Sequence, residues 1–117
     1  MNVLLVDDEP LIRMGVVGLL EELGHEVVEA PNGRQALERL KVDQTIELLL
    51  TDFRMPGLSG LDLITQCREI NPTIKIVLMT GYSSEDHIFP DDCPVRLYKP
   101  FGMQHLVQAM DQVLQIS

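Results

Sequence analysis

Short runs of apolar residues, most of them unbroken, recur along this chain, and polar or turn-forming residues follow each of them. The runs predict strands at residues 2–6, 25–30, 46–51, 75–79 and 95–98, of which the second is the least apolar. Runs of this length without alternation are typical of strands buried on both faces of a parallel sheet. Arg96, a charged residue inside the last run, indicates that this strand lies at a sheet edge.

Apolar residues at helical spacing lie between these runs and predict helices. The first helix begins near Pro10 and ends at Gly24, and the third is capped by Ser59. Residues 85–89 are the only helical candidate between Gly81 and Pro94, and they allow only a short helix. The predicted apolar helix positions are Ile12, Val16, Leu19, Leu20 and Leu23; Ala36, Leu37 and Leu40; Ile64, Cys67 and Ile70; and Met103, Leu106, Met110, Val113 and Leu114.

The alternation of strands and helices predicts an α/β fold. Parallel strands joined by right-handed crossovers form a doubly wound sheet with helices on both faces. A chain of 117 residues is the usual size of one domain, so we expect residues 1–117 to form a single unit.

Composition and charge exclude several classes of function. Eighteen acidic against nine basic residues give a formal charge of -9, which argues against direct binding to nucleic acid. No apolar stretch approaches the roughly 20 residues that span a bilayer, and no signal peptide is evident, so we expect a cytoplasmic protein that does not bind membranes. Cys67 and Cys93 lie far apart and are expected to be reduced thiols.

Four of the apolar runs end in residues with useful chemistry. Asp7 and Asp8 follow the first run, Asp52 the third, Thr80 the fourth and Lys99 the fifth. Ligand sites of parallel sheets lie at the carboxyl ends of the strands, so these five residues are predicted to meet at one edge. Converging carboxylates repel one another unless a cation neutralises them, and a site that also takes a phosphate favours Mg2+.

The same set of residues predicts a site that accepts a phosphoryl group. Lys99 would supply a point charge to the phosphoryl oxygens, and the Thr80 hydroxyl would supply a hydrogen bond. A carboxylate can attack phosphorus to form an acyl phosphate, and Asp52 is the best placed nucleophile. At least one of the adjacent pair Asp7 and Asp8 would then face the metal.

These motifs, in this order, resemble the receiver domain of two-component response regulators along essentially the whole chain. They are Asp7-Asp8, Asp52 with Met55-Pro56-Gly57, Thr80-Gly81, and Lys99-Pro100-Phe101. The resemblance implies a flavodoxin-like five-stranded sheet of order 2-1-3-4-5, with a shortened fourth helix. It also implies a phosphoacceptor that catalyses its own phosphoryl transfer and dephosphorylation, rather than an enzyme that turns over small molecules.

The resemblance further implies partners and residue roles. Asp52 would take a phosphoryl group from a histidine kinase or histidine phosphotransfer protein, and an effector protein or a covalently linked domain would receive the signal. The implied Mg2+ ligands are Asp8 directly, Asp7 in support, Asp52 and the Arg54 carbonyl. The implied phosphate contacts are the Thr80 and Lys99 side chains and the backbone of Phe53 and Gly81. The Lys99-Pro100 peptide is expected to be cis.

Two features depart from the usual receiver pattern. Family members usually have a full fourth helix, and they have an aromatic residue where this chain has Arg96. Tyr98 follows two residues later on the same strand face and is a candidate substitute, so the predicted switch residues are Thr80, Arg96 and Tyr98. Phosphorylation would change the surface near strands four and five and the last helix. Tyr82 could cover the site, and the segments TGY and VRLYKPF are similar to receivers of hybrid sensor kinases.

Two other functions remain open at the level of sequence. The first is a protein-binding module of receiver fold whose output no longer depends on phosphorylation, although its three retained carboxylates argue against this. The second is a Mg2+-dependent phosphohydrolase on a related sheet. It is disfavoured because no D-x-D motif follows a strand and no second acid lies directly after Asp52. A nucleotide-binding fold is weaker still, since the chain has no glycine-rich phosphate motif.

Overall fold

The computed structural model describes residues 1–81 and 95–115, which form five strands and four helices. The strands are β1 (Asn2–Val6), β2 (Glu26–Ala30), β3 (Leu48–Asp52), β4 (Lys75–Thr80) and β5 (Arg96–Tyr98). The helices are α1 (Pro10–Glu22), α2 (Gly33–Val42), α3 (Gly60–Ile70) and α4 (Met103–Gln115). The predicted short helix at residues 85–89 lies outside the described residues.

The strands form one parallel sheet in the order β2-β1-β3-β4-β5, which confirms the predicted fold class and strand order. β5 lies at an edge, as Arg96 indicated. The third strand begins two residues later than predicted, because Leu48 is the first residue that pairs with β1, through Val3. Ile46 is buried before the strand begins, so its apolar character reflects packing and not sheet pairing.

Alternation along the strands sends side chains into two cores, one on each face of the sheet. Leu4 and Val6 of β1 face the core that also contains apolar residues of α2 and α3. Val3 and Leu5 face the opposite core, which contains apolar residues of α1 and α4. Because both faces are covered, successive residues of the central strands are buried, which explains the apolar runs that precede the polar residues at their ends.

Local sequence signals set the ends of the helices. The Asn32 side chain caps α2 by accepting the Gln35 N–H at 2.9 Å, and the Ser59 hydroxyl caps α3 by accepting the Asp62 N–H at 3.2 Å. Gly24 ends the first helical segment with φ 90°, a conformation that favours glycine. In the part of the chain that the structure describes, none of the helices has the length and apolar character needed to cross a membrane.

Most predicted apolar helix positions face a core, and two at helix ends are exposed. Val16 and Leu20 of α1 are buried, and the other three predicted positions of that helix pack against the same core. Ile70 is the last residue of α3 and Leu114 lies one residue before the end of α4, and both are exposed. Helical spacing continues to the ends of these helices, but the sheet beneath them does not.

Candidate functional site

The carboxyl ends of β1, β3 and β4 bring the predicted site residues together. Val6 pairs with Thr51, so the residues that follow them, Asp7 and Asp52, lie side by side at the sheet edge. Asp52 in turn pairs with Met79, which places Thr80 one residue further along β4. Asp7, Asp52 and Thr80 are all buried at this edge.

Lys99 joins this group from the end of β5. Its Nζ atom donates to Asp7 Oδ2 at 3.1 Å and to Asp52 Oδ2 at 3.1 Å, so one ammonium group bridges two buried carboxylates. The Lys99 N–H also donates to the Thr80 carbonyl at 2.7 Å, which holds the residue beside β4. The following peptide bond, Lys99-Pro100, is cis, as predicted.

Burial and charge act against each other on the ionisation of the bridged groups. Burial raises the pKa of Asp52 above its ordinary value, Lys99 opposes that shift, and the nearby Asp7 and Asp8 carboxylates add to it. Burial alone would lower the pKa of Lys99, but its contacts with Asp52 and Asp7 outweigh burial, so the pKa of Lys99 is raised. Lys99 is therefore held in its charged form at neutral pH.

Four acidic side chains offer oxygen atoms to a cation. Carboxylate oxygens of Asp7, Asp8, Glu9 and Asp52 lie within 4.8 Å of one another. The Asp7 Oδ1 atom accepts the Glu9 N–H at 2.9 Å, which turns the acidic segment back on itself at the end of β1. Hard oxygen donors in this number fit Mg2+. The sequence pattern does not single out Glu9 as a ligand, since the residue serves equally well at the start of α1.

Phe53, Arg54 and Gly81 are the residues predicted to contribute backbone groups to the site. The Phe53 N–H donates to the Met79 carbonyl at 2.8 Å, and the Phe53 carbonyl accepts the Gly60 N–H at 3.0 Å. Both backbone groups of Phe53 therefore have partners within the fold, and its role as a phosphate contact stays a prediction. Arg54 is exposed in the loop that follows β3, and Gly81 is exposed directly after Thr80. Their roles stay predictions.

The predicted switch residues Arg96 and Tyr98 lie on the edge strand β5. Both side chains point away from the core that buries Leu97, and the Tyr98 side chain is exposed. Thr80, the other predicted switch residue, pairs with Tyr98 in the sheet, so these two residues are direct neighbours. Tyr82, the residue predicted to cover the site, lies outside the described residues.

Two further residues support the site without a clear signal in the sequence. A Cβ atom added to Gly60 would lie 2.5 Å from the Asp52 carbonyl oxygen, so the first turn of α3 packs directly on the end of β3. Arg13 of α1 donates from Nη1 to the Asp7 carbonyl at 2.6 Å. The sequence offers two clues to these residues. Arg13 lies a short distance after the acidic pair, and Gly60 follows the cap residue of a helix. Neither feature alone identifies a residue that supports a site.

Comparisons with known proteins agree with this architecture. The sequence pattern of the response regulator receiver domain family matches residues 3–111. The chain is 36% identical to the response regulator receiver protein CpdR of Brucella abortus strain 2308, and the match covers 97% of this chain and 96% of CpdR. It is 32% identical to the sensor kinase CckA of the same strain, over 97% of this chain but only 12% of CckA.

A solved structure gives the same result for the fold. The crystal structure of a response regulator receiver domain protein from Clostridium thermocellum superimposes with a TM-score of 0.87 at 28% sequence identity. The match covers 97% of this chain and 94% of that protein.

Proposed function

Because this chain belongs to the response regulator receiver domain family, we propose that it accepts a phosphoryl group on Asp52 in a two-component system. A receiver domain is a signalling domain and not a conventional enzyme. The domain proposed here comprises residues 1–117 and lies in the cytoplasm, and the buried free thiol of Cys67 is compatible with a reducing compartment.

The observation that carries this proposal is the bridge from Lys99 to Asp52 and Asp7. Each contact measures 3.1 Å, and the side chains of Asp7 and Asp52 are 0% and 11% exposed. A structural ion pair needs only one carboxylate. Two buried carboxylates around one ammonium group leave an excess of negative charge that a purely structural role does not explain.

In the proposed reaction an oxygen of Asp52 attacks the phosphorus of a phosphohistidine. The new bond joins that oxygen to phosphorus, the phosphorus–nitrogen bond breaks, and its electron pair returns to the imidazole. In this proposal Lys99 exchanges its contact with Asp52 for one with a phosphoryl oxygen, and Thr80 donates its hydroxyl hydrogen to another. Lys99 acts by its charge and Thr80 by a directional hydrogen bond, as in other phosphoryl transfers.

We propose that the acidic cluster holds Mg2+, with Asp8 as a direct ligand, Asp7 in support, and Asp52 and the Arg54 carbonyl completing the protein ligands. Asp8 is partly exposed while Asp7 is buried, which suits a direct and a supporting role respectively. Bound Mg2+ would offset the negative charge shared by the carboxylates and the phosphoryl oxygens. The Gly81 amide is proposed as a backbone contact to the phosphate.

The phosphodonor, a histidine kinase or phosphotransfer protein, is proposed to dock on α1. Leu11 and Met14 are 82% and 67% exposed on the first turns of this helix, which directly follows the acidic segment. Gly15 and Gly18 extend the same helix face, and a Cβ on either would meet no atom within 4 Å. An exposed apolar face beside the phosphoacceptor is suited to a partner helix.

The signal is proposed to leave through β5. Thr80 and Tyr98 are paired, and Lys99 follows Tyr98 directly. If Lys99 and Thr80 turn toward a phosphoryl group, Arg96 and Tyr98 would change position at the sheet edge. An effector protein or a linked domain would then recognise this edge and α4.

One experiment tests the phosphoacceptor. The protein is incubated with Mg2+ and acetyl phosphate, and intact mass is measured with the Asp52→Asn variant in parallel. We expect one phosphoryl group on the protein and none on Asp52→Asn. Asp62→Asn, a change of an exposed carboxylate on α3, is the matched control and should label like the unmodified protein. Failure to label, or labelling that survives Asp52→Asn, would exclude the proposal.

A further inference from the structure

We propose that Arg13 is a positioning residue that fixes the peptide between Asp7 and Asp8 for cation binding. The inference rests on the proposed function, because it concerns the same acidic cluster. Arg13 belongs to α1 and has no contact with the phosphoacceptor among the hydrogen bonds described for residues 1–81 and 95–115. Its effect would therefore reach the site through the backbone of Asp7.

Arg13 connects three elements at the end of β1. Its Nη1 atom donates to the Asp7 carbonyl at 2.6 Å, and its Nε atom donates to Glu29 Oε1 on β2 at 3.2 Å. The Arg13 side chain is 18% exposed and that of Glu29 is 48% exposed. The planar guanidinium therefore has two of its donors fixed in different directions, which restricts its rotation.

The Asp7 carbonyl is the group that Arg13 controls. The other polar groups of Asp7 have partners: its N–H donates to the Ala30 carbonyl at 3.3 Å, and its two carboxylate oxygens accept from the Glu9 N–H and from Lys99. The carbonyl belongs to the peptide plane that leads into Asp8. Fixing this carbonyl thus fixes the N–Cα bond of Asp8 and narrows the directions in which its side chain can leave the strand.

Charge alone predicts the opposite effect. Arg13 is a cation near the acidic cluster, and a like charge weakens the binding of a metal cation. Removing it should tighten Mg2+ binding if Arg13 acts only through its charge. If Arg13 positions the Asp7-Asp8 peptide, removal should weaken binding, as loss of an outer-shell partner of a metal site usually does. The sign of the change separates the two explanations.

The test is Mg2+ titration of the unphosphorylated protein by isothermal titration calorimetry, with folding checked by circular dichroism. We expect Arg13→Ala to raise the Mg2+ Kd roughly tenfold, the lower end of the effect of losing an outer-shell partner. Arg13→Lys restores the charge and one donor, so its Kd should fall between those of the unmodified protein and the alanine variant. Charge alone would give Arg13→Ala the tightest binding of the three.

Arg34→Ala is the matched control for charge. Arg34 is an exposed residue of α2 that lines the same surface groove as Asp8. Its removal should not weaken Mg2+ binding. If Arg13→Ala does not fold, the lysine variant decides: weaker binding than the unmodified protein supports the proposal, and equal binding overturns it.

The result also distinguishes this inference from the proposed function. If the unmodified protein binds Mg2+ and labels at Asp52, but Arg13→Ala binds Mg2+ equally or more tightly, only the positioning role is overturned. If the unmodified protein neither binds Mg2+ nor accepts a phosphoryl group, the proposed function and the role of Arg13 fail together.

Discussion

Substitution of Gly60 by alanine adds only one methyl group, but it should displace the end of β3, the strand that carries Asp52. A Cβ at this position would lie 2.5 Å from the Asp52 carbonyl oxygen, 2.9 Å from the Phe53 Cα and 3.0 Å from the Phe53 carbonyl oxygen. All three are backbone atoms, so no side-chain rotation can relieve the contact. Either α3 must move away from the sheet, or the end of β3 must move with Asp52.

The expected cost follows from the size of the misfit. Overpacking of a well-packed site by one methyl group typically costs about 1–3 kcal/mol, and backbone neighbours place Gly60→Ala in the upper part of that range. Gly18→Ala is the matched control, because the same change on α1 meets no atom within 4 Å. Replacing an exposed glycine within a helix by alanine should stabilise the protein by about 0.5–1 kcal/mol.

Urea unfolding followed by circular dichroism measures both changes, and labelling with acetyl phosphate measures the effect on Asp52. Gly60→Ala should lower the free energy of unfolding and slow labelling, whereas Gly18→Ala should raise the free energy of unfolding and leave labelling unchanged. If Gly60→Ala proves as stable as the unmodified protein and labels at the same rate, the close packing of α3 on β3 does not position Asp52.

Three other changes test the electrostatics, the capping and the core. Asp52→Asn should raise the melting temperature at neutral pH. The pKa of Asp52 is raised in the folded state, so its charged form destabilises the fold. The gain in melting temperature should therefore vanish as the pH falls below the ordinary carboxyl pKa of 3.8. A gain that persists at pH 3 would contradict this. Asn32→Ala removes the cap of α2 and should cost about 1 kcal/mol in urea unfolding, with no loss counting against the cap. Burial raises the pKa of the Cys67 thiol to about 12. In a Cys93→Ser variant, where Cys67 is the single cysteine, the native protein should resist iodoacetamide at pH 8 and the urea-unfolded protein should react. Rapid labelling of the native variant would show that Cys67 is accessible.

The sequence predicted the sheet well because its central strands are buried on both faces. Strands such as β1 and β4 carry unbroken apolar runs, and the polar residues after them mark where the sheet ends. The sequence predicted the start of β3 less accurately, because Ile46 is buried without pairing in the sheet. Burial and hydrogen-bonded pairing leave the same apolar signal in a short segment, and only the register distinguishes them.

The site was predictable in its main residues but not in its support. Asp52 and Thr80 are the last residues of their strands, and Asp7 and Lys99 directly follow theirs, so the fold itself brings all four to one edge. Arg13 acts through a backbone carbonyl, and such a contact imposes no residue pattern on the segment that it holds. Gly60 is required by the close approach of another backbone, which depends on tertiary packing that a single sequence does not display.

The contacts of Lys99 also link the edge strand β5 to the phosphoacceptor Asp52. β5 has three residues, and a sheet edge of that length is held by few hydrogen bonds. Lys99 extends from its end past β4 to carboxylates at the ends of β3 and β1. Amide hydrogen exchange at Leu97 and Tyr98 should therefore vary with the chemical state of Asp52, some distance away. Hydrogen exchange in this short edge strand would thus report on the phosphorylation state of Asp52.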